Sequence, residues 1–165
     1  MNDAEAEAPA DPVPRTRIED FLVDYAHAID DGDLRAWPDF FTEDGVYQII
    51  SRENFEAGLP MGILSCEGRG MMADRVSALE QANIFEAHTY CHILGPPRIS
   101  EESPELYGAR TNFNVVRTMQ DGGSEMFAVG RYLDIIVVAD GRPLLRERRV
   151  VLESRRVDIL LVYPL

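Results

Sequence analysis

The stretch HTYCHILGPP, residues 88–97, divides the sequence into two kinds of pattern. Thr89, Tyr90 and Ile93 favour a strand, and Pro96–Pro97 end any helix. Upstream, apolar residues recur at helical spacing. Ile18, Phe21, Leu22, Tyr25 and Ile29 share one side of TRIEDFLVDYAHAIDDGD, while Asp20, Asp24, His27 and Asp31 fall on the other. Thr16 and Glu19 fit a capping box, and Gly32 is a stop signal. A short helix is predicted at LRAWPDFF, a strand at GVYQIISR, and a third helix in RGMMADRVSALEQAN, ending near Asn83. Downstream, HTYCHILG, ELYGARTNFNVVRTM, EMFAVGRYLDIIVVA and PLLRERRVVLESRRVDILLVY read as strands separated by the turn signals GPP, ESPE, DGG and DGR. Three helices before a run of long strands give an α+β class, a curved sheet wrapping helices.

The same stretch holds two of the three histidines and one of the two cysteines. On a strand, side chains alternate faces, so His88, Tyr90, His92 and Leu94 share one face and Thr89, Cys91 and Ile93 the other. Four residues of strand separate the histidines by about 13 Å, whereas zinc ligands sit about 2 Å from a shared ion. A metal site is therefore not expected. Two readings remain for that face. His88, Tyr90 and His92, with Tyr25 or Asp30, are candidate acid–base groups in a cavity. The favoured reading turns His88 and His92 toward a neighbouring subunit.

Composition sets the outer bounds. A length of 165 residues fits one domain. Residues 1–15, rich in Ala, Glu, Asp and Pro, read as a flexible acidic tail, leaving 16–165 as that domain. The net charge of −13 argues against nucleic acid and anionic lipid as partners. No apolar run approaches the roughly 20 residues of a membrane span, and no secretory signal is evident, so a cytoplasmic location is expected. Cys66 and Cys91 do not form a secreted-type disulfide framework. All 16 basic residues are arginine, which excludes lysine Schiff-base chemistry and a lysine-bearing phosphate loop. DGG is a hairpin turn rather than a phosphate site. The methionines of GMMADR read as core packing, and Trp37, Phe40 and Phe41 are expected to close the mouth of the curved sheet, where an apolar pocket would not by itself prove ligand binding. Arg146, Arg148, Arg149, Arg155 and Arg156 are candidate docking residues; the plainer reading pairs Arg146, Arg148 and Arg155 with Glu147 or Glu153 on a solvated face.

Several stretches together resemble the small (β) subunits of aromatic-ring-hydroxylating Rieske dioxygenases. DYAHAIDDGDLRAWPDFFTEDGVY is similar to that family's opening helices, with Tyr25, Asp30, Trp37, Phe41 and Tyr47 in place. GMMADRV, carrying Asp74 and Arg75, HILGPPRI, TNFNVVR, GRYLD and RRVVLES follow in the family's order. RENFEAGLP and CEGRGMMADR resemble the branch acting on aromatic acids such as salicylate and terephthalate. The resemblance implies an NTF2-like (cystatin-like) cone and a large-subunit partner holding a Rieske [2Fe–2S] cluster and mononuclear iron. It further implies an α3β3 assembly with a homotrimer of this chain, which would supply no catalytic residue and no cofactor or metal ligand. The rival reading is a stand-alone dehydratase or isomerase using the acid–base groups named above. A small-molecule carrier is a third reading with no dedicated feature behind it.

Overall fold

The computed structural model describes residues 15–82, 85–154 and 163–165. The acidic stretch 1–14, Asn83 at the expected end of the third helix, and Arg155 and Arg156 lie outside the described residues. Helix α1 spans Arg15–Asp30 and buries Ile18, Leu22, Tyr25, Ala26 and Ile29, the stripe that its periodicity announces. Thr16 is already inside the helix. The stop is a Schellman turn: Asp33 N–H donates to the Ala28 carbonyl (2.9 Å) and Gly32 N–H to that of Ile29 (3.0 Å). Gly32 has φ 79°, a left-handed conformation that glycine adopts without a Cβ penalty. Leu34–Phe40 forms a 3₁₀ turn rather than an α-helix, with Trp37 and Pro38 buried.

Strand β1, Phe41–Ser51, leads into the one-turn helix α2, Arg52–Glu56, and the short strand β2, Leu64–Glu67. Helix α3, Arg69–Ala82, buries Met72 and Val76 and exposes Met71, so only one of the paired methionines packs in the core. The remaining strands are β3 (His88–Leu94), β4 (Arg98–Ser103), β5 (Leu106–Met119), β6 (Ser124–Ala139) and β7 (Arg142–Leu152). Neither α2, β2 nor β4 is legible in the sequence. Each is short, and β4 (RISEES) exposes five of six side chains, so it carries no apolar alternation.

The seven strands form one curled mixed sheet in the order β2-β1-β7-β6-β5-β3, with β4 also paired to β5. Every pairing is antiparallel except β1 with β7. Asp140 and Gly141 both have positive φ and close a two-residue β6–β7 hairpin, as DGR signals. Bulges lie between Val115 and Val116 against β6, and between Ile135 and Ile136 against β7. Such irregularities increase strand twist and bend a sheet around its contents. Helix α1 and the 3₁₀ turn occupy the inner side, where Trp37, Phe41, Tyr25, Tyr47, Phe113 and Tyr132 are all at most 2% exposed.

Candidate functional site

The sheet's inner face is organised around one ion pair. Asp134 and Arg148 are register partners on β6 and β7, and parity turns both side chains inward. Arg148 donates from Nε to Asp134 Oδ1 and from Nη2 to Oδ2, each at 2.8 Å. The guanidinium carbon lies 4.0 Å from the ring centre of Tyr25 and 4.1 Å from that of Tyr132. Tyr132 in turn stacks on Phe113, the rings 4.2 Å apart and inclined by 9°. Gly130, opposite Phe113 in register, leaves room for this stack. A Cβ there would lie 3.2 Å from the Phe113 ring and 2.3 Å from the Val151 carbonyl oxygen.

A hydrogen-bonded layer closes over the pair. Trp37 Nε1–H donates to Tyr25 Oη at 2.9 Å, and Tyr25 Oη–H donates to the Leu165 carbonyl at 3.2 Å. The Leu165 amide donates to Tyr47 Oη at 2.8 Å. Burial pushes the Tyr25 phenol up to about 12, against the opposing pull of Arg148 and Trp37. Burial likewise holds Tyr47 and Tyr132 well above the usual phenol range. Burial works against the Arg148 cation, but the Asp134 carboxylate outweighs it and raises the arginine pKa. Burial raises the Asp134 pKa too, with Arg148 opposing. An arginine does not surrender its proton in a protein, and the fork-to-carboxylate geometry keeps the pair ionic.

The histidine face points the same way, inward. His88 is 8% exposed and Tyr90 5%, and the His92 side chain has no exposure, whereas Thr89, Cys91 and Ile93 are exposed. The alternation read from the sequence is present, but the face bearing the histidines packs inside this chain instead of meeting a neighbour. The reason lies in α1 and in the aromatic residues. Asp30, the last residue of α1, accepts from His92 twice: Nδ1–H to Oδ1 at 2.5 Å and backbone N–H to Oδ2 at 2.8 Å. His88 Nδ1–H donates to the Glu86 carbonyl at 2.8 Å, and its ring lies 4.7 Å from that of Tyr163. Tyr90 stacks on Phe127 at 5.2 Å, and Phe127 lies beneath the Arg117 guanidinium. His92 and His88 are therefore held by separate partners. The Tyr90 ring lies between them, 5.4 Å from that of His88 and 6.3 Å from that of His92, while Tyr25 belongs to the Arg148 layer.

The candidate docking arginines also divide. Arg148 is buried and its partner is Asp134, so it is neither a docking residue nor the exposed partner of Glu147 or Glu153. Arg146 is exposed at the β6–β7 bulge, and Arg149 is half-exposed and paired with Glu147. Glu153 instead receives Arg52 at 2.9 Å and Arg131 at 3.5 Å. Asp134 was missed by sequence reasoning, yet a signal for it exists. In YLDIIVV it shares parity with Tyr132, Ile136 and Val138, so an acid sits in an apolar row, opposite an arginine in the apolar row of β7.

The residues do not fit an iron centre. A Rieske cluster takes two cysteines and two histidines, but Cys66 lies on β2 and Cys91 on β3, at opposite ends of the sheet order. Cys91 faces outward while both strand histidines face inward. Among the described residues no three His, Cys, Asp or Glu side chains cluster as metal ligands.

Residues 14–149 match the SnoaL-like domain family. The β2 subunit of the terminal oxygenase component of terephthalate 1,2-dioxygenase from a Comamonas species is 41% identical over 149 residues, covering 90% of this chain and 97% of that one. The chain belongs to the small-subunit family of the aromatic-ring-hydroxylating dioxygenases. The small subunit of anthranilate 1,2-dioxygenase from Burkholderia cepacia is 36% identical over 86% of this chain and 88% of its own length. A crystal structure assigned as the β subunit of an aromatic-ring-hydroxylating dioxygenase of Novosphingobium aromaticivorans superposes with a TM-score of 0.85. It is 33% identical and covers 93% of this chain and 97% of that one. The resemblance carried by the quoted segments is thereby confirmed, and with it the NTF2-like, cystatin-like fold that further solved structures share. These relatives are subunits of dioxygenases, which are oxidoreductases. Among the described residues no helix is long and apolar enough to cross a membrane.

Proposed function

We propose that this chain is the non-catalytic, assembly-forming subunit of a cytoplasmic ring-hydroxylating dioxygenase. Its partner is a large subunit that holds the Rieske [2Fe–2S] cluster and the mononuclear iron, in an α3β3 complex. The substrate class that fits the 41% identical relative is an aromatic carboxylate. The observation that carries the non-catalytic role is the state of the inner face. Its central cation, Arg148, is already neutralised by Asp134 and covered by Tyr25 and Tyr132. A group so enclosed stabilises a shell and offers nothing to a reacting atom. Co-expression with the large subunit tests the proposal: the two should co-elute on gel filtration at the mass of a 3:3 complex. Separate elution under gentle conditions defeats it.

A second reading rests on one specific contact. Asp30 fixes the His92 ring through Nδ1 and leaves Nε2 buried with no hydrogen-bond partner among the described residues, the arrangement that prepares an imidazole to accept a proton. On that reading the chain is a stand-alone dehydratase or isomerase: the isolated chain turns over a small hydrophobic substrate, and His92→Gln abolishes that turnover while leaving the fold intact. Absence of turnover by the isolated wild type leaves Asp30–His92 as a structural latch.

A further inference from the structure

Acidic residues outnumber arginines in this chain by 29 to 16, yet two neighbouring arginines have no acid to pair with. Arg98 on β4 and Arg110 on β5 are direct register partners, and both are exposed. Neither has an ion-pair partner among the described residues. Like charges placed directly opposite on paired strands are destabilising. Of the acids on this face, Glu147 is paired with Arg149, and Glu102 accepts from Ser100 Oγ at 2.6 Å. The register builds a cleft beside the two cations. Arg98, Arg110, Leu133 and Arg149 form one row across β4–β7, and Ser100, Gly108, Ile135 and Glu147 form the next. These rows floor a cleft of about 440 Å³, with Phe55 of α2 also in its wall. Gly108 leaves a hollow between Ser100 and Ile135, and the Ile135 side of that hollow is 37% exposed. Adjacent strands lie about 4.8 Å apart. A ring resting on Leu133 and Ile135 therefore keeps a substituent within reach of Arg110 and, one strand further, of Arg98.

We propose that this outer-face cleft binds a small aromatic carboxylate, its carboxylate group between Arg98 and Arg110 and its ring on Leu133, Ile135 and Phe55. A guanidinium presents paired N–H donors in the plane that a carboxylate accepts, and two guanidiniums with no acid of their own are the strongest unmet donors on this face. An apolar floor with a few convergent polar groups is the usual make-up of a small-molecule site. Binding removes the like-charge opposition across β4 and β5. It thereby fastens β4, which exposes five of its six side chains, to the rest of the sheet. The inference goes beyond the assembly role, and neither depends on the other.

Isothermal titration calorimetry of the full chain with sodium benzoate tests it. Benzoate should bind with a Kd on the order of 1 mM or below, and should raise the thermal midpoint as it saturates. Benzamide keeps the ring without the charge, and acetate keeps the charge without the ring. Each should bind at least about tenfold more weakly than benzoate. Arg98→Gln/Arg110→Gln should lose benzoate binding. With no ligand present its thermal midpoint should equal or exceed that of wild type, because the repulsion is gone. Gly108→Leu keeps both arginines and should lose binding as well, since its side chain fills the hollow. A Cβ there meets only Ser100 Oγ and Glu102 Oε1, each at 3.0 Å and each the end of a side chain that can turn away. Failure of wild type to bind benzoate overturns the inference, as does undiminished binding by either variant. Equal binding of benzamide or acetate overturns it too, as does an unliganded arginine double variant less stable than wild type, which would give those arginines a structural contact instead.

Discussion

Arg148 and Arg149 are neighbours on β7, yet one is 1% exposed and the other has 47% of its side chain in solvent. Arg148 faces the core, paired in register with Asp134 and covered by two tyrosine rings. Arg149 faces outward beside Glu147, in the cleft that also holds Arg98 and Arg110. Strand parity alone separates them. The inner arginine is a fixed structural element whose alternatives are all costly. The outer one exchanges its partner for water at little cost.

The comparison breaks most readily at Arg148. Replacing it with Met strands the Asp134 carboxylate in the core, and removing one partner of a buried pair costs about 3–5 kcal/mol. Urea denaturation of Arg148→Met should show that loss. Arg148→Met/Asp134→Leu should recover most of it, because the isolated charge is gone. Equal instability in the single and double variants would mean that packing between the tyrosine rings, not charge, is what Arg148 supplies.

Alkaline titration sharpens the same contrast. Tyr25 has a folded pKa of about 12 against an unfolded value near 10. Its contribution to stability is complete below pH 10, where both states are protonated. It is lost as pH rises from 10 through 12, because only the unfolded phenol ionises there. The loss from this one group is on the order of 2–3 kcal/mol. Tyr47 and Tyr132, raised in the same direction by burial, add to it. Ultraviolet absorbance of tyrosinate should show these three ionising only as the protein unfolds. Their ionisation in the native state near pH 10 would contradict a closed interior.

Next in size is the latch between α1 and β3. Asp30→Ala removes both acceptors of His92 and leaves buried donors without partners, at about 1–3 kcal/mol. Hydrogen exchange at the His92 amide should accelerate, and a rate equal to wild type would show that the latch contributes nothing. This contact marks the limit of what the sequence discloses. Periodicity locates α1, and alternation places His88, Tyr90 and His92 on one face. Neither indicates which side of a curled sheet that face meets. The answer depends on Asp30, 62 residues away, and on the aromatic rings packed beneath β3. Arg148 was misplaced for a related reason. RERR reads as a charged surface until Asp134, on the neighbouring strand, is known to lie opposite its third residue. Local pattern fixes which residues share a face, and long-range pairing decides whether that face is core or surface.

The smallest effect belongs to the exposed pairs. Arg35 is bonded to Glu80 in bidentate fashion, at 2.7 and 3.0 Å, a geometry close to that of Arg148 with Asp134. Glu80 raises the arginine pKa, and the hydrogen bond from Arg35 lowers that of Glu80. Yet the two side chains are 80% and 43% exposed. Water already solvates both ions in the unfolded chain, salt screens their attraction, and ordering two long side chains opposes the gain. Arg35→Ala should therefore leave the urea midpoint within error of wild type, at low and at high salt. The pair thus serves as a control with nearly the same hydrogen-bond geometry as the core pair. If Arg35→Ala destabilised the protein as much as Arg148→Met, geometry rather than burial would govern what an arginine pair contributes, and the distinction between the two faces of β7 would lose its physical basis.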